Sequence, residues 1–456
     1  MRRAIDRFVA AVARLATRGL FRSVEVVGFD DLPAGPRLIV ANHFNGFVDP
    51  VVIAGALGRL PRFIAKATLW RTPGVPVLMK AAGVLPVNRT VDGGGSNQGT
   101  FSEVVADLHR GETVAIFPEG TTHDDQHLSP VRTGAARLAL DAAADGVAGL
   151  HVVPVGVTFE DKVALRSRVV VRAGEPLVPP ALAGGSADHE AVRVLTEQIR
   201  NGLADVAPDF PTLLDAVEMR RAAEVALRSR VRTPLAPVPM ADREEMAKLL
   251  HRLPAEQREP IAVAAAEYEL LLGAVRTNDL HLEPRPTLRA LVVRLITTAL
   301  LVAVLAPFAL VGLAINLVPA LLVVAAGTAA SAPVSKGTNR VLAGLIAFPG
   351  AWFLLAAYDV GSGLAADVLG WATFPLEPAL ESFAGGRAGF GASLVVFLLA
   401  PALGLLAVWL AERIASVLAT ARAVASTVNR RRQVAELLEH RRHLVSLVET
   451  AVAPTP

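Results

Sequence analysis

Between Val24 and about Leu177, short runs of aliphatic and β-branched residues alternate with longer stretches whose apolar positions recur at helical spacing. The short runs are RLIVA from Arg37, RFIAKA from Arg62, VLPV from Val84, TVAIF from Thr113, HVVPVGVTF from His151 and RVVVRA from Arg168. Between them, FSEVVADLHRG and TGAARLALDAAADG each end in a glycine suited to close a helix. Strands alternating with helices predict an α/β domain over residues 24–180, a mixed sheet flanked by helices. DGGGSN, Asp92–Asn97, reads as a loop.

The flanking regions follow other periods. Over residues 1–23, Ile5, Phe8, Val9, Val12 and Ala16 share one helical face and Arg3, Arg7, Arg14, Arg18 and Arg22 the other. Such a basic amphipathic helix lies in a membrane interface or docks on a domain with a solvated basic side. Residues 181–288 read as amphipathic helices interrupted at APDFP and TPLAPVPMADREE, where Asp242 ahead of Glu245 predicts a capped helix start after a proline-rich linker. No internal repeat is visible.

From Leu295 to Ala330 there is no charge, and Pro307, Asn316 and Pro319 interrupt the run. It is long for one spanning helix and predicts a helical hairpin or re-entrant pair. Val341–Tyr358 and Ser393–Ala411 are long enough for further spans, so residues 289–412 predict an all-α transmembrane region of two to four spans, followed by a basic helix over 413–456. The positive-inside rule puts Arg289 and Arg294, Lys336 and Arg340, and the arginine-rich tail on the cytoplasmic side, which requires an even number of crossings.

Composition sharpens this reading. The 456 residues are 52% hydrophobic with a mean hydropathy of +0.45, and the excess sits in the last third. The net charge of +3 hides arginines gathered at the two ends, where they suit anionic lipid rather than nucleic acid, because no basic stripe is interleaved with aromatics. Absence of cysteine excludes disulfides, thiolate metal sites and a cysteine acyl-enzyme. MRRAIDRFVAAVARLATRGLFR holds no unbroken apolar core, so no cleaved signal peptide is expected and the α/β domain is expected in the cytoplasm.

Polar candidates cluster at strand ends, where α/β sheets build their sites. His43 and Asp49 follow RLIVA, Arg89 follows VLPV, and Glu119 follows TVAIF within FPEG. An imidazole held by a carboxylate at one nitrogen can take a proton from a hydroxyl at the other. With no serine or cysteine nucleophile nearby, that hydroxyl would be the substrate's own. Arginine suits bidentate binding of phosphate, and Gly120 lets backbone amides approach the same group. Each signal alone has a plain structural alternative, since a His–Asp pair is often loop polarity and PEG a common turn.

In order, NHFNGFVDP, GVLPVNR, FPEGTTHDD with LSPVRTGAARLAL, and VVPVGVTF resemble the four blocks of the PlsC-type glycerolipid acyltransferases, over about Arg37 to Leu177. The resemblance implies a glycerol-3-phosphate acyltransferase-like fold, with His43 as base, Asp49 as its partner, Arg89, Glu119 and Gly120 at the acceptor phosphate, and Pro154 shaping the donor site. The family's commonest first block has four residues between histidine and aspartate; here Phe44 to Val48 make five. That spacing, followed by proline and by an HD pair after FPEG, resembles the branch with dual glycerol-3-phosphate and dihydroxyacetone-phosphate acyltransferases. Asn45-Gly46 can absorb the extra residue in a turn.

Other residues stay open between two readings. Lys66 and Arg132 suit phosphate or a coenzyme A diphosphate, or are edge charges; with Asn45, Pro118 and Pro154 they are candidate substrate or donor contacts. Phe44 and Phe47 read as core or acyl-channel wall. His123, Asp124, Asp125 and His127 read as a solvated loop at the site mouth rather than a metal cluster. The resulting expectation is a membrane-bound O-acyltransferase that needs no cofactor beyond an acyl-CoA or acyl carrier protein (acyl-ACP) donor and acts at the lipid bilayer on the sn-1 hydroxyl of glycerol 3-phosphate. The alternatives are a 1-acylglycerol-3-phosphate acyltransferase and a non-catalytic lipid-binding scaffold; a transporter is disfavoured by the lack of charge within the apolar stretches.

Overall fold

The computed structural model describes residues 2–71, 76, 79–80, 82–88, 94, 97–231, 236–282, 288–362, 390–429 and 431–453. The chain divides into two compact units, the first built from Met1–Leu227, Val238–Glu267 and Arg442–Pro456, the second from Arg228–Pro237 and Tyr268–Arg441.

The first unit is built on a seven-stranded sheet. Its strands are β1 (Phe21–Val27), β2 (Arg37–Ala41), β3 (Arg62–Lys66), β4 (Leu85–Val87), β5 (Thr113–Ile116), β6 (His151–Phe159) and β7 (Ser167–Ala173), in the order β1-β7-β6-β2-β5-β3-β4. All neighbours are parallel except β6 and β7. Strand β2 lies at the centre, with Val40 beside Ile116 of β5 and Pro154 of β6. Its residues Leu38 to Ala41 are all buried, as an unbroken apolar run between two covered faces must be. One face packs on α3 (Gln98–His109), α4 (Gly134–Ala144) and α5 (His189–Val206) through Leu108, Leu138, Leu195 and Ile199.

Three details depart from the pattern reading. Strand β1 falls partly within the stretch expected to be helical, because α1 (Arg2–Leu20) ends early and FRSVEVV, which lacks clean alternation, pairs only with distant β7. Helix α1 docks on α2 (Val48–Leu57) through small buried residues, Ala10, Ala13 and Thr17, and leaves Phe8 exposed. After α6 (Leu213–Arg228), helix α7 (Met240–His251) starts two residues before Asp242, which is exposed in its first turn. Its free amide at Ala241 donates instead to Glu25 Oε2 of β1 (2.9 Å). Burial pushes the Glu25 carboxyl up, but the N–H groups of Met240 and Ala241 and the Arg168 guanidinium outweigh it and hold it below the usual carboxylate value. Helix α8 (Ala255–Val275) follows.

Three helices of the second unit, α9 (Leu288–Thr328), α10 (Pro333–Ser362) and α11 (Phe390–Asn429), each contain a stretch long and apolar enough to cross a membrane, which gives the chain integral membrane topology. Helix α12 (Arg431–Val452) closes the chain. The hairpin or re-entrant pair expected over Leu295–Ala330 is one continuous helix that keeps Pro307 and Pro319 inside it, so three spans lie among the described residues. In hydrocarbon a proline loses one backbone bond, whereas a turn would strand several, so continuing the helix is the cheaper course. At about 60 Å, α9 exceeds the roughly 30 Å hydrocarbon core.

Asn316 explains why a polar residue is tolerated there. Its Nδ2 donates to Gly312 O (2.8 Å) and to Ala400 O of α11 (3.0 Å), and its Oδ1 accepts from Trp352 Nε1 of α10 (2.9 Å). A Cβ on Gly312 would lie 2.1 Å from Leu403 O, so glycine is what lets α9 and α11 touch backbone to backbone.

Candidate active site

The carboxyl ends of β2, β3, β4, β5 and β6 share one edge of the sheet, and the loops that leave them carry the candidate chemistry. Asn42 extends the β2–β6 ladder with its side chain, donating to Val157 O (2.9 Å) and accepting from Val157 N–H (2.7 Å). That clamp sets where the chain leaves the sheet, and His43 is the next residue.

The loop then turns into α2. Gly46 adopts φ +49, a left-handed conformation that glycine takes without strain, and Val48 N–H donates to Asn45 O (2.9 Å). The extra residue between His43 and Asp49 is taken up in this turn. Asp49 falls in the first turn of α2, where the helix dipole favours a carboxylate, and its Oδ2 lies 2.9 Å from His43 Nδ1 and accepts from Asn45 N–H at 2.8 Å. The Asp49 side chain is 0% exposed and that of His43 21%. An ionised carboxylate only accepts, so it fixes Nδ1 as the protonated nitrogen and leaves the Nε2 lone pair available. The imidazole stacks on Phe117 (4.1 Å between centroids, 14°), which restricts its rotation.

Glu119, at the turn after β5, is buried and has donors on both oxygens. Oε1 accepts from His43 N–H (2.8 Å), and Oε2 from Ser129 N–H (2.8 Å) with His123 Nε2 at 2.6 Å. Gly120 has φ +69, and a Cβ there would meet Arg132 Nε at 3.0 Å. Arg132, otherwise exposed, donates from Nε to Glu119 O (3.1 Å), and its N–H donates to Pro118 O (2.9 Å). Lys66 is exposed at the end of β3 on the same edge. Asn45 is buried, with Nδ2 on Lys162 O (3.2 Å). Pro154 is not brought to this edge: it sits inside β6 opposite Val40, with Gly202 of α5 against its ring. Arg89 and most of Asp92–Asn97 lie outside the described residues; Asn97, just past them, clasps Asn88 through both main-chain groups (2.7 and 2.8 Å).

His123 departs from the sequence expectation. It is not a solvated loop residue: its side chain is 10% exposed and turns inward to Glu119, while Asp124 and Asp125 stay outside. The physical reason is the buried Glu119 carboxylate, which draws donors to its second oxygen. The spacing of four residues between Glu119 and His123 was the available signal. Phe117, Asn42 and Lys162 were also missed; nothing local marks Lys162, whose partners come from two other loops. Among the described residues no cluster of His, Asp or Glu is arranged to hold a metal ion.

The acyltransferase family model matches residues 23–158. Glycerol-3-phosphate O-acyltransferase 2 of Saccharomyces cerevisiae is 38% identical over 30% of this chain and 19% of its own length. Lyso-ornithine lipid O-acyltransferase of Pseudomonas aeruginosa is 32% identical over 43% of this chain and 69% of its own length. The crystal structure of the 1-acyl-sn-glycerophosphate acyltransferase PlsC from Thermotoga maritima aligns over 43% of this chain and 78% of that one, at 21% identity and a TM-score of 0.33. The chain thus belongs to the acyltransferase family of enzymes. It spans about a fifth of the length of the yeast relative.

Proposed function

We propose that the protein transfers a fatty acyl group from acyl-CoA or acyl-ACP to the sn-1 hydroxyl of glycerol 3-phosphate at the cytoplasmic face of a membrane. The observation that carries this reading is the 2.9 Å contact between His43 Nδ1 and buried Asp49 Oδ2 in a partly exposed imidazole. His43 Nε2 accepts the hydroxyl proton as the oxygen attacks the thioester carbonyl; the C–O bond forms, the C–S bond breaks, and the imidazolium returns the proton to the departing sulfur. Asp49 stabilises the imidazolium throughout. Direct transfer needs no acyl-enzyme.

Glu119 acts as a brace for the His43 loop, since a buried carboxylate with both oxygens occupied is poorly suited to phosphate. The acceptor phosphate falls to Arg89, with Arg132 and Lys66 as further cations and Gly120 providing close approach. Pro154 affects the donor site only indirectly. Helix α1, with Phe8, Arg7, Arg14 and Arg18 exposed, lies against the lipid headgroups.

The yeast relative's name and the lengthened first block favour glycerol 3-phosphate, with dihydroxyacetone phosphate as a second small acceptor. A lysolipid acceptor is the competing reading, supported by the Pseudomonas relative, whose length is covered far better. Labelled acyl-CoA offered with glycerol 3-phosphate, dihydroxyacetone phosphate or lysophosphatidate separates them: transfer only to lysophosphatidate overturns the first choice. His43→Ala is expected to lower any of these rates by roughly 10²–10⁴-fold, an unchanged rate would remove His43 as the base, and no transfer by the wild type to any acceptor would leave a lipid-binding scaffold.

A further inference from the structure

The loop after β6 carries a lysine that joins the three loops of the site. Lys162 Nζ donates to Phe44 O (3.1 Å) and to His123 O (2.9 Å), and pairs with Asp124 Oδ1 (2.5 Å). An ammonium has three donors and no acceptor, so these partners take its whole capacity and Asp124 balances its charge. Nothing is left over to bind a ligand. The turn that presents it is itself braced, with Asp161 Oδ1 accepting from Val163 and Ala164 N–H (2.8 and 2.9 Å) and Ser167 Oγ donating to Asp161 O (2.6 Å).

We propose that Lys162 is a positioning residue for acyl transfer, locking the His43 loop against the Glu119–His123 loop so that His43 Nε2 stays aligned with the acceptor hydroxyl. The proposal rests on His43 being the base. Glu119 holds the N–H of His43 from the loop after β5. Lys162 holds the next carbonyl, that of Phe44, from the loop after β6. The backbone of His43 is therefore anchored on both flanks by segments that come from different strands. The Phe44 ring closes the same junction edge-on against His123 (4.9 Å, 87°). Removing the ammonium frees one flank while leaving the His43–Asp49 contact chemically intact, and a misplacement of about 1 Å at a reacting group costs on the order of 10²-fold in rate.

The test uses the full chain in lipid vesicles, with acyl-CoA and the accepted acceptor, and compares wild type, Lys162→Met, Lys162→Cys and His43→Ala. Lys162→Met is expected to lower kcat by about 10- to 100-fold while the acceptor KM moves by less than about threefold. Because the chain has no cysteine, the thiol of Lys162→Cys can be alkylated alone. Aminoethylation of that thiol, verified by intact mass, rebuilds an ammonium at nearly the original reach and is expected to restore most of kcat; iodoacetamide treatment is not. The variant that can be rebuilt keeps the test decisive even if Lys162→Met fails to fold. An unchanged kcat in Lys162→Met, a raised acceptor KM with kcat intact, or no recovery on aminoethylation would each overturn the proposal. Full activity in His43→Ala would instead overturn His43 as the base, no transfer by the wild type would overturn the acyl-transfer reading, and an inactive His43→Ala beside a fully active Lys162→Met would sink the role of Lys162 alone.

Discussion

Asp49 in the sheet unit and Asn316 in the helical unit are both buried polar side chains that bond to more than one segment, yet they leave different remainders. Asn316 uses both donors of interest and its oxygen on Gly312, Ala400 and Trp352, so its bonding is closed. Asp49 spends Oδ2 on His43 and Asn45, and the histidine it holds keeps Nε2 without a partner among the described residues. A closed polar node in an apolar surround holds helices together. An open one, with its spare nitrogen facing a partly exposed edge, is poised to take a proton.

The comparison is sharpened most by Asp49→Asn. The amide still accepts from Asn45 N–H but no longer fixes the protonated nitrogen of His43, and acyl transfer is expected to fall by roughly 10²–10⁴-fold with thermal unfolding little changed. Equal activity would mean that the pair is structural after all. Asn316→Ala tests the opposite case. It strands Trp352 Nε1 and removes the bond across to Ala400 O, and should weaken the three-helix unit by about 0.6–2 kcal/mol in detergent unfolding, with acyl transfer retained. Loss of activity without loss of stability would reveal chemistry at Asn316 instead.

The smallest effect concerns Lys248 of α7, which donates to Ala204 O (3.2 Å) and Asp205 O (2.9 Å) near the end of α5. Burial pulls its pKa down to about 8. Between about pH 8 and the unfolded value near 10.5, the unfolded chain binds the proton and the folded one does not, so stability rises with pH across that window. Wild type should therefore gain unfolding temperature relative to Lys248→Met from pH 7 to pH 10, by a few degrees at most. A difference that stays flat would place the lysine in solvent.

Much of the fold was legible because its signals are local. Six of the seven strands were apparent as apolar runs, and the glycines after α3 and α4 marked where those helices end. What escaped depends on distant partners. β1 is a strand only because β7 lies beside it, and α7 begins at Met240 because Glu25, far away in sequence, caps it. The uncharged run before Ala330 looked too long and too interrupted for one helix, because hydropathy registers Pro307, Asn316 and Pro319 as breaks without seeing that Asn316 has partners on α10 and α11.

The sequence by itself determined the kind of chemistry available: a histidine and an aspartate ahead of a helix, FPEG after a strand, no thiol, and an apolar last third. Those features depend on residue type and near-neighbour order, which the chain carries openly. Only the tertiary structure decided what each polar group does, because that depends on which partners burial leaves it. Glu119 became a brace when His43, His123 and Ser129 filled its oxygens, His123 left the solvent to join it, and Lys162 became part of the site only when three separate loops met at one edge of the sheet.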